Sequence, residues 1–282
     1  MEKLDRLGWA GELSFRAFGL AIGIRTNDPG LLNAIHPYLP PGLKPLSNPV
    51  VNKVYSIIEG GGLRANAHIR RLHLLYGNVE RLARTAELAN LFAALRSDVN
   101  LYLAENAPLR LFVHAGAVGW NGRAIVIPGP SFSGKTTLVQ EFLRAGASYH
   151  SDEFAVVDKR GFVHPFATPL SIRSAGSDRR EMRAAEEFGG SIGIRPLPIG
   201  CVLATSYRPG SRWKRKEISK GLGVLALLAN TVAARKDPSR ALSVLSSAVR
   251  SSQILRSHRG EAREVVESVL EELDRRPVGE GN

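Results

Sequence analysis

Cysteine is almost missing from this chain: Cys201 is the single one in 282 residues. That excludes an intrachain disulfide framework and a zinc site built on cysteine, and it fits a reducing cytoplasm. Long apolar runs are missing too. The best, Gly223 to Ala234, is a dozen residues and contains Asn230, whereas a membrane span needs about twenty, so no span is expected. The opening Met1–Arg6 carries acids and lacks an apolar core, so it does not read as a signal peptide. There is no internal repeat and no low-complexity tract, and the Asn-Lys-x-Asp signature of a guanine-nucleotide switch does not occur. Acids are in short supply, 26 against 38 Lys and Arg, a net charge of +12. Such an excess attracts anions in general: nucleotides, nucleic acid, an acidic membrane or an acidic partner. The basic residues are densest at Arg208, Arg212, Lys214, Arg215, Lys216 and Lys220, around Trp213. They make either a solvated loop or a docking patch for phosphate or protein. No nucleic-acid motif accompanies them, so nucleic acid is not an expected partner.

With 44% hydrophobic and 23% charged residues the chain is of globular type, long enough for about two domains. Strand-like runs lie at Ser14–Arg25, Val51–Ile58 and His68–Tyr76, where apolar and polar residues partly alternate. A long helix is expected over Val79 to Glu105, with Leu88, Leu91, Leu95, Val99 and Tyr102 on one stripe and Pro108 closing it. This predicts an α+β region over residues 1–107 and an α/β domain over 108–282. In the second region Arg110–Trp120 and Arg123–Ile127 read as strands joined by Asn121-Gly122, the strongest short hairpin signal because a type I′ turn needs positive φ twice. A second hairpin joins Phe154–Val157 to Phe162–His164 through Asp158–Gly161. Cys201–Ser206 suggests another strand, and from Ile218 to Arg275 the pattern reads as helical, with Pro277–Asn282 frayed.

Gly129-Pro130-Ser131-Phe132-Ser133-Gly134-Lys135-Thr136 matches G-x-x-x-x-G-K-[ST] in full, followed by Thr137. The apolar strand Ala124–Ile127 leads in. A helix with Leu138 and Phe142 on one face leads out, ending at Gly146. The chemistry needs these types: backbone N–H groups at the positive end of a helix surround phosphate oxygens, and bulk at the glycines would block the approach. Lys135 supplies charge to the outer phosphates, and Thr136 offers a hydroxyl to Mg²⁺. Four fixed positions should match a chain this long on the order of once in a hundred by chance. A triphosphate site is therefore expected over Gly129–Thr137.

Register adds a second clue. With a two-residue turn at Asn121-Gly122, Trp120 faces Arg123 and His114 faces Gly129. His114 is then either a core histidine or a functional one. Downstream, Ser151-Asp152-Glu153 precedes the apolar run Phe154–Val157. The segment after a phosphate-loop helix is expected to return as a parallel strand beside the loop strand. Acids there can hold Mg²⁺ or accept a proton from an attacking hydroxyl. Asp158 is the competing acid, if Phe154–Asp158 is a metal-binding strand, but Lys159-Arg160-Gly161 makes it look like the start of a turn.

Taken together, His114, the loop Gly129–Thr136 and Asp152-Glu153 resemble the catalytic domain of HPr kinase/phosphorylase, a family related to the phosphoenolpyruvate carboxykinases. The likeness covers about His114 to Arg173. His114-Ala115-Gly116, Ser151–Val156 and His164-Pro165…Pro169–Arg173 are similar to the less characterised HPr-kinase-like proteins. The resemblance implies an α/β P-loop kinase domain in which Asp152 is the base for a substrate hydroxyl and His114 tunes it. It implies that Lys135 and Thr136 contact phosphate and Mg²⁺, with Glu153 in place of a second aspartate. Two departures stand out: the family loop usually has glycine where this chain has Phe132, and the family's second signature is absent, with Glu181, Glu186 and Glu187 candidates by location alone. The phosphorylase reaction and HPr as target are therefore not expected.

These readings lead to an ATP- and Mg²⁺-dependent cytoplasmic kinase acting on a serine or threonine of a protein or peptide. Arg173 is a candidate contact to phosphate or substrate. The alternatives are a non-catalytic or regulatory ATP-binding module and a small-molecule kinase. HPr kinases are hexameric, and the resemblance permits a homo-oligomer.

Overall fold

The computed structural model describes residues 2–47, 49–61, 72–173 and 180–275 of the chain. They divide into two compact units, Met1–Pro108 and Leu109–Asn282. Both mix helices with sheets, and no helix among the described residues is long and apolar enough to cross a membrane.

The first unit contains α1 (Glu2–Asp5), β1 (Gly11–Ala17), β2 (Leu20–Thr26), α2 (Leu31–Ile35), β3 (Lys44–Pro45), β4 (Lys53–Ile58), β5 (His73–Gly77), β6 (Glu80–Thr85) and α3 (Leu88–Asn106). The strands form one sheet in the order β3-β1-β2-β4-β5-β6, parallel only between β2 and β4. The α3 face carrying Leu91, Leu95, Val99 and Leu103 is fully buried, as are Ile22, Tyr55, Ile57 and Leu75 of the sheet. Two sequence expectations are corrected here. Ser14–Arg25 is not one run but a hairpin, because Phe18 and Gly19 both take positive φ (48° and 91°) and fold β1 onto β2. The helix expected from Val79 begins only at Leu88. Asn78, at φ 52°, turns the chain so that Glu80 pairs with Gly77 in the β5–β6 hairpin. Sheet pairing there overrides a helix-compatible sequence. The start of the expected strand His68–Tyr76, and the tail Pro277–Asn282, lie outside the described residues.

The second unit runs β7 (Arg110–Trp120), β8 (Arg123–Pro128), α4 (Lys135–Arg144), β9 (Ser148–Ser151), β10 (Phe154–Asp158), β11 (Phe162–His164), β12 (Leu170–Arg173), β13 (Arg180–Arg183), β14 (Leu197–Tyr207), α5 (Lys220–Leu228), α6 (Pro238–Ala248), β15 (Gln253–Arg259) and α7 (Ala262–Asp274). Pairing runs β10-β11-β14-β8-β7 and closes through β7–β10, with β9 also on β7 and β15 parallel to β14. Helices cover both faces. Ile125 and Ile127 of β8 pack in one cluster with Leu138 and Phe142 of α4 and Val266 of α7. Ala124 and Val126 pack in the other with Leu227 of α5 and Leu245 of α6. A strand buried on both sides must be apolar throughout, which is why residues 124–127 read as an unbroken apolar run.

The turn Asn121-Gly122 has φ 45° and 74°, and β7–β8 keep the two-residue register: Trp120 opposite Arg123, Ala115 opposite Pro128. The return after α4 differs from expectation. The neighbours of β8 are β7, antiparallel, and β14, parallel, while β9 and β10 run antiparallel to β7. The tight β7–β8 hairpin occupies the edge that a returning parallel strand would need. The C-terminal stretch also departs from its helical reading. Gln253–Arg259 is a strand, drawn into the sheet beside β14 with Ile254 and Leu255 buried on opposite faces.

Candidate active site

The loop Gly129–Gly134 joins the end of β8 to the start of α4. Gly129 N–H donates to the His114 carbonyl at 3.3 Å, so the hairpin register holds the loop entrance. A Cβ at Gly129 would meet Ser133 Oγ at 2.8 Å. Gly134 has φ 86°, and a Cβ there would come within 2.2 Å of the Arg259 guanidinium. A side chain at either position would displace its neighbour, Ser133 or Arg259, and Gly134 is required by its positive φ as well. Phe132 takes φ 68° with its side chain 73% exposed, a left-handed backbone that costs an L-residue about 1–2 kcal/mol. No side chain caps the first turn of α4, so its N–H groups face the loop, where the helix end is positive.

Lys135 is buried and folds back into the loop, its ammonium donating to the carbonyls of Gly129 and Pro130, both at 2.8 Å. Burial lowers its pKa, and the charge of Asp152 opposes that drop. An ammonium has three donors, so one remains beyond these two bonds. Thr136 Oγ1 donates to Asp152 Oδ2 at 3.0 Å. The other carboxylate oxygen, Oδ1, is buried and has no hydrogen-bond partner. Burial pushes the Asp152 carboxyl up to about 7; the Thr136 hydroxyl and Lys135 pull it down, and Glu153 adds to the rise.

Asp152 and Glu153 fall between β9 and β10, both of which pair with β7. The Ser151 hydroxyl accepts the N–H groups of Glu153 (3.1 Å) and Phe154 (2.9 Å), and the Glu153 carbonyl accepts from Ala115 N–H at 3.3 Å. These bonds pin the interruption to β7 beside the loop. His114 lies opposite Phe154, the rings edge to face at 5.9 Å. Burial, with Lys135 nearby, lowers the His114 pKa to about 4, so the imidazole is neutral near pH 7. No hydrogen bond joins His114 to Asp152 among the described residues; the two share Lys135 as an electrostatic neighbour.

The competing acid is committed elsewhere. Asp158 Oδ1 accepts from Arg160 N–H (2.8 Å) and Phe162 N–H (3.1 Å), and Oδ2 meets His164 Nε2 at 2.8 Å. Burial works against its charge, but His164 and the two amides outweigh it and hold the carboxyl below its ordinary value. Asp158 therefore closes its own hairpin, at the far end of β10 from Asp152. Glu186 and Glu187 lie in a short helical turn at Ala185–Phe188. Gly190, just beyond it, packs against Leu143 in the last turn of α4, the end away from the loop. Glu187 there accepts from Ala184 N–H and pairs with Arg183. The Arg173 side chain lies outside the described residues.

Arg259 is the residue that sequence reasoning missed. It is 2% exposed at the end of β15, donating from Nη2 to the Gly134 carbonyl (2.9 Å) and from Nη1 to the Gly260 carbonyl (3.0 Å). The Tyr207 ring lies 5.4 Å from its guanidinium carbon. The signal available was a basic residue at the end of a β-prone run, just before Gly260, which becomes informative only once β15 is known to be a strand. Set against known proteins, the chain matches no family model and no curated sequence.

Proposed function

We propose that the chain is an ATP- and Mg²⁺-dependent kinase of the HPr-kinase-like P-loop type, transferring the γ-phosphoryl group to a serine or threonine hydroxyl of a protein or peptide. The observation that carries this reading is the Asp152 carboxylate, bonded to Thr136 of the loop and raised to about 7. A structural glycine turn needs no such acid. A general base works best with a pKa near the operating pH.

In this reading the loop amides and Lys135 bind the β- and γ-phosphates, giving phosphate oxygens the donors now turned to Gly129 and Pro130. Asp152 Oδ1 lacks a partner and is available to an acceptor hydroxyl. It orients that hydroxyl toward the γ-phosphorus and takes its proton as the new O–P bond forms and the bond to the β-phosphate oxygen breaks. Neutral His114 adds no positive charge that would hold Asp152 deprotonated too firmly to act as a base.

The Thr136 hydroxyl and the Glu153 carboxylate are hard oxygen donors that suit Mg²⁺ and would hold it, which leaves Asp152 Oδ1 to the acceptor hydroxyl. Among the described residues there is no group of three or more His, Cys, Asp or Glu able to hold a metal. In this reading an Mg²⁺ ion would take most of its ligands from phosphate and water. When bound, Mg²⁺ would neutralise charge on the phosphates.

The test compares wild type with Lys135→Ala and Asp152→Asn. Calorimetry with Mg²⁺ and ATP should show binding that Lys135→Ala abolishes and Asp152→Asn retains. Labelled ATP incubated with cell lysate should pass label to protein with wild type and to nothing with Asp152→Asn. Unchanged transfer by Asp152→Asn removes the base. Binding without transfer by wild type identifies a non-catalytic module, and label in metabolites a small-molecule kinase.

A further inference from the structure

A groove of about 500 Å³ lies beyond the P-loop, lined by Lys214, Arg215, Lys216, Arg256 and His258, with Ser257, Ile218 and Leu222. We infer that it is a docking site for an acidic peptide segment. One wall is extended chain. Ile218 N–H donates to the Ile254 carbonyl at 2.9 Å and Arg256 N–H to the Lys216 carbonyl at 2.8 Å, so residues 216–218 are laced along the outer edge of β15. This lacing draws lysines distant in sequence up to Arg256 and holds them there. The α5 helix supplies Leu222, 44% exposed.

The charge is one-sided. No carboxylate lines the groove. Arg215 is paired with Glu272, whereas the side chains of Lys214, Lys216 and Arg256 have no carboxylate partner among the described residues. Three uncompensated cations held within one concavity repel one another, and an anionic occupant relieves that repulsion. The same lining selects among anions. Sites for single-stranded nucleic acid place aromatic rings where bases stack. Here the apolar part is aliphatic, Ile218 and Leu222, and the nearby Trp213 is buried in the core on the α4 side. Aliphatic contacts beside cations fit a peptide bearing leucine-like and acidic residues.

Position gives the groove a use. β8, β14 and β15 are mutually parallel, so their carboxyl ends share one edge of the sheet. The P-loop leaves from that edge. His258 of the groove immediately precedes Arg259, which bonds the loop glycine Gly134. A segment docked there is tethered beside the phosphate loop, where a tether raises local concentration.

Fluorescence anisotropy of the full chain with a labelled ten-residue peptide rich in Asp, Glu and Leu tests the inference. An Asn/Gln counterpart and a ten-nucleotide oligouridylate serve as comparison probes. Wild type should bind the acidic peptide, lose it as salt rises, and ignore the neutral peptide. Lys216→Glu/Arg256→Glu should weaken binding about tenfold or more, and the milder Lys214→Gln/Lys216→Gln a few-fold, both with unchanged circular dichroism. Equal binding of the peptide by wild type and both variants, or no binding by wild type, overturns the inference. So does an oligonucleotide that binds more tightly than the peptide and is lost in the same variants, since the surface would then be one for nucleic acid.

Discussion

Replacing Asp152 by Asn should stabilise the protein, and more so at alkaline than at acidic pH, while removing the proposed base. The carboxyl is at 3.8 in the unfolded chain and about 7 in the fold. A group whose folded value is raised contributes its full stability below the unfolded value and loses it as pH rises through the folded one. The window is therefore about pH 4 to 7. Linkage makes the native Asp152 cost about 4 kcal/mol at pH 8 and roughly 2 kcal/mol at pH 5. Asparagine has the same shape, keeps an oxygen for the Thr136 hydroxyl and never ionises. Its gain over wild type should thus be larger at pH 8 by about 2–3 kcal/mol, or on the order of 5–10 °C in melting midpoint for a unit of this size. The two-by-two comparison of protein and pH cancels other titrating groups, His114 among them. Thermal unfolding of a Trp9→Phe background, in which Trp120 and Trp213 of the second unit are the remaining tryptophans, reads the effect by fluorescence. An equal shift at the two pH values would refute the reasoning, since Asp152 would then titrate as an ordinary carboxylate and lose its claim as the base.

Arg259→Ala should cost about 2 kcal/mol of stability by removing a charged donor from the half-buried Gly134 carbonyl, and should weaken ATP binding measured by calorimetry. Arg259→Lys should recover only part of this, because an ammonium cannot reproduce the two-pronged bond to Gly134 and Gly260. Gly134→Ala should abolish nucleotide binding while the far-ultraviolet circular dichroism stays native, as the new Cβ both collides with Arg259 and strains a φ of 86°. Retained binding in that variant would mean that the loop can move away from Arg259.

The strand–loop–helix around Gly129–Gly134, the Asn121-Gly122 turn and the turn begun by Asp158 were legible because each depends on residues close in sequence. Glycines at fixed spacing, a positive-φ pair and an Asx turn act within a few residues. The β7–β8 register followed from the turn, and it carried His114 to Gly129. Less was visible wherever distant segments compete for one strand edge. Glu80–Thr85 and Gln253–Arg259 are strands because β5 and β14 offer them hydrogen bonds, whereas their own sequences tolerate a helix. For the same reason the acids reach the loop along β7 and not on a parallel strand beside β8.

What the amino-acid order determined alone is the glycine-bounded loop Gly129–Gly134, between a strand buried on both faces and an amphipathic helix. Only the tertiary structure decided what surrounds that loop: Asp152 bonded to Thr136 with one oxygen left bare, Arg259 braced against Gly134, and three cations gathered into a groove. Loop conformation is a short-range property of φ and side-chain bulk. The raised carboxyl and the gathered cations depend on burial and on charges brought together from separate segments of the domain, which exist only once the chain has folded.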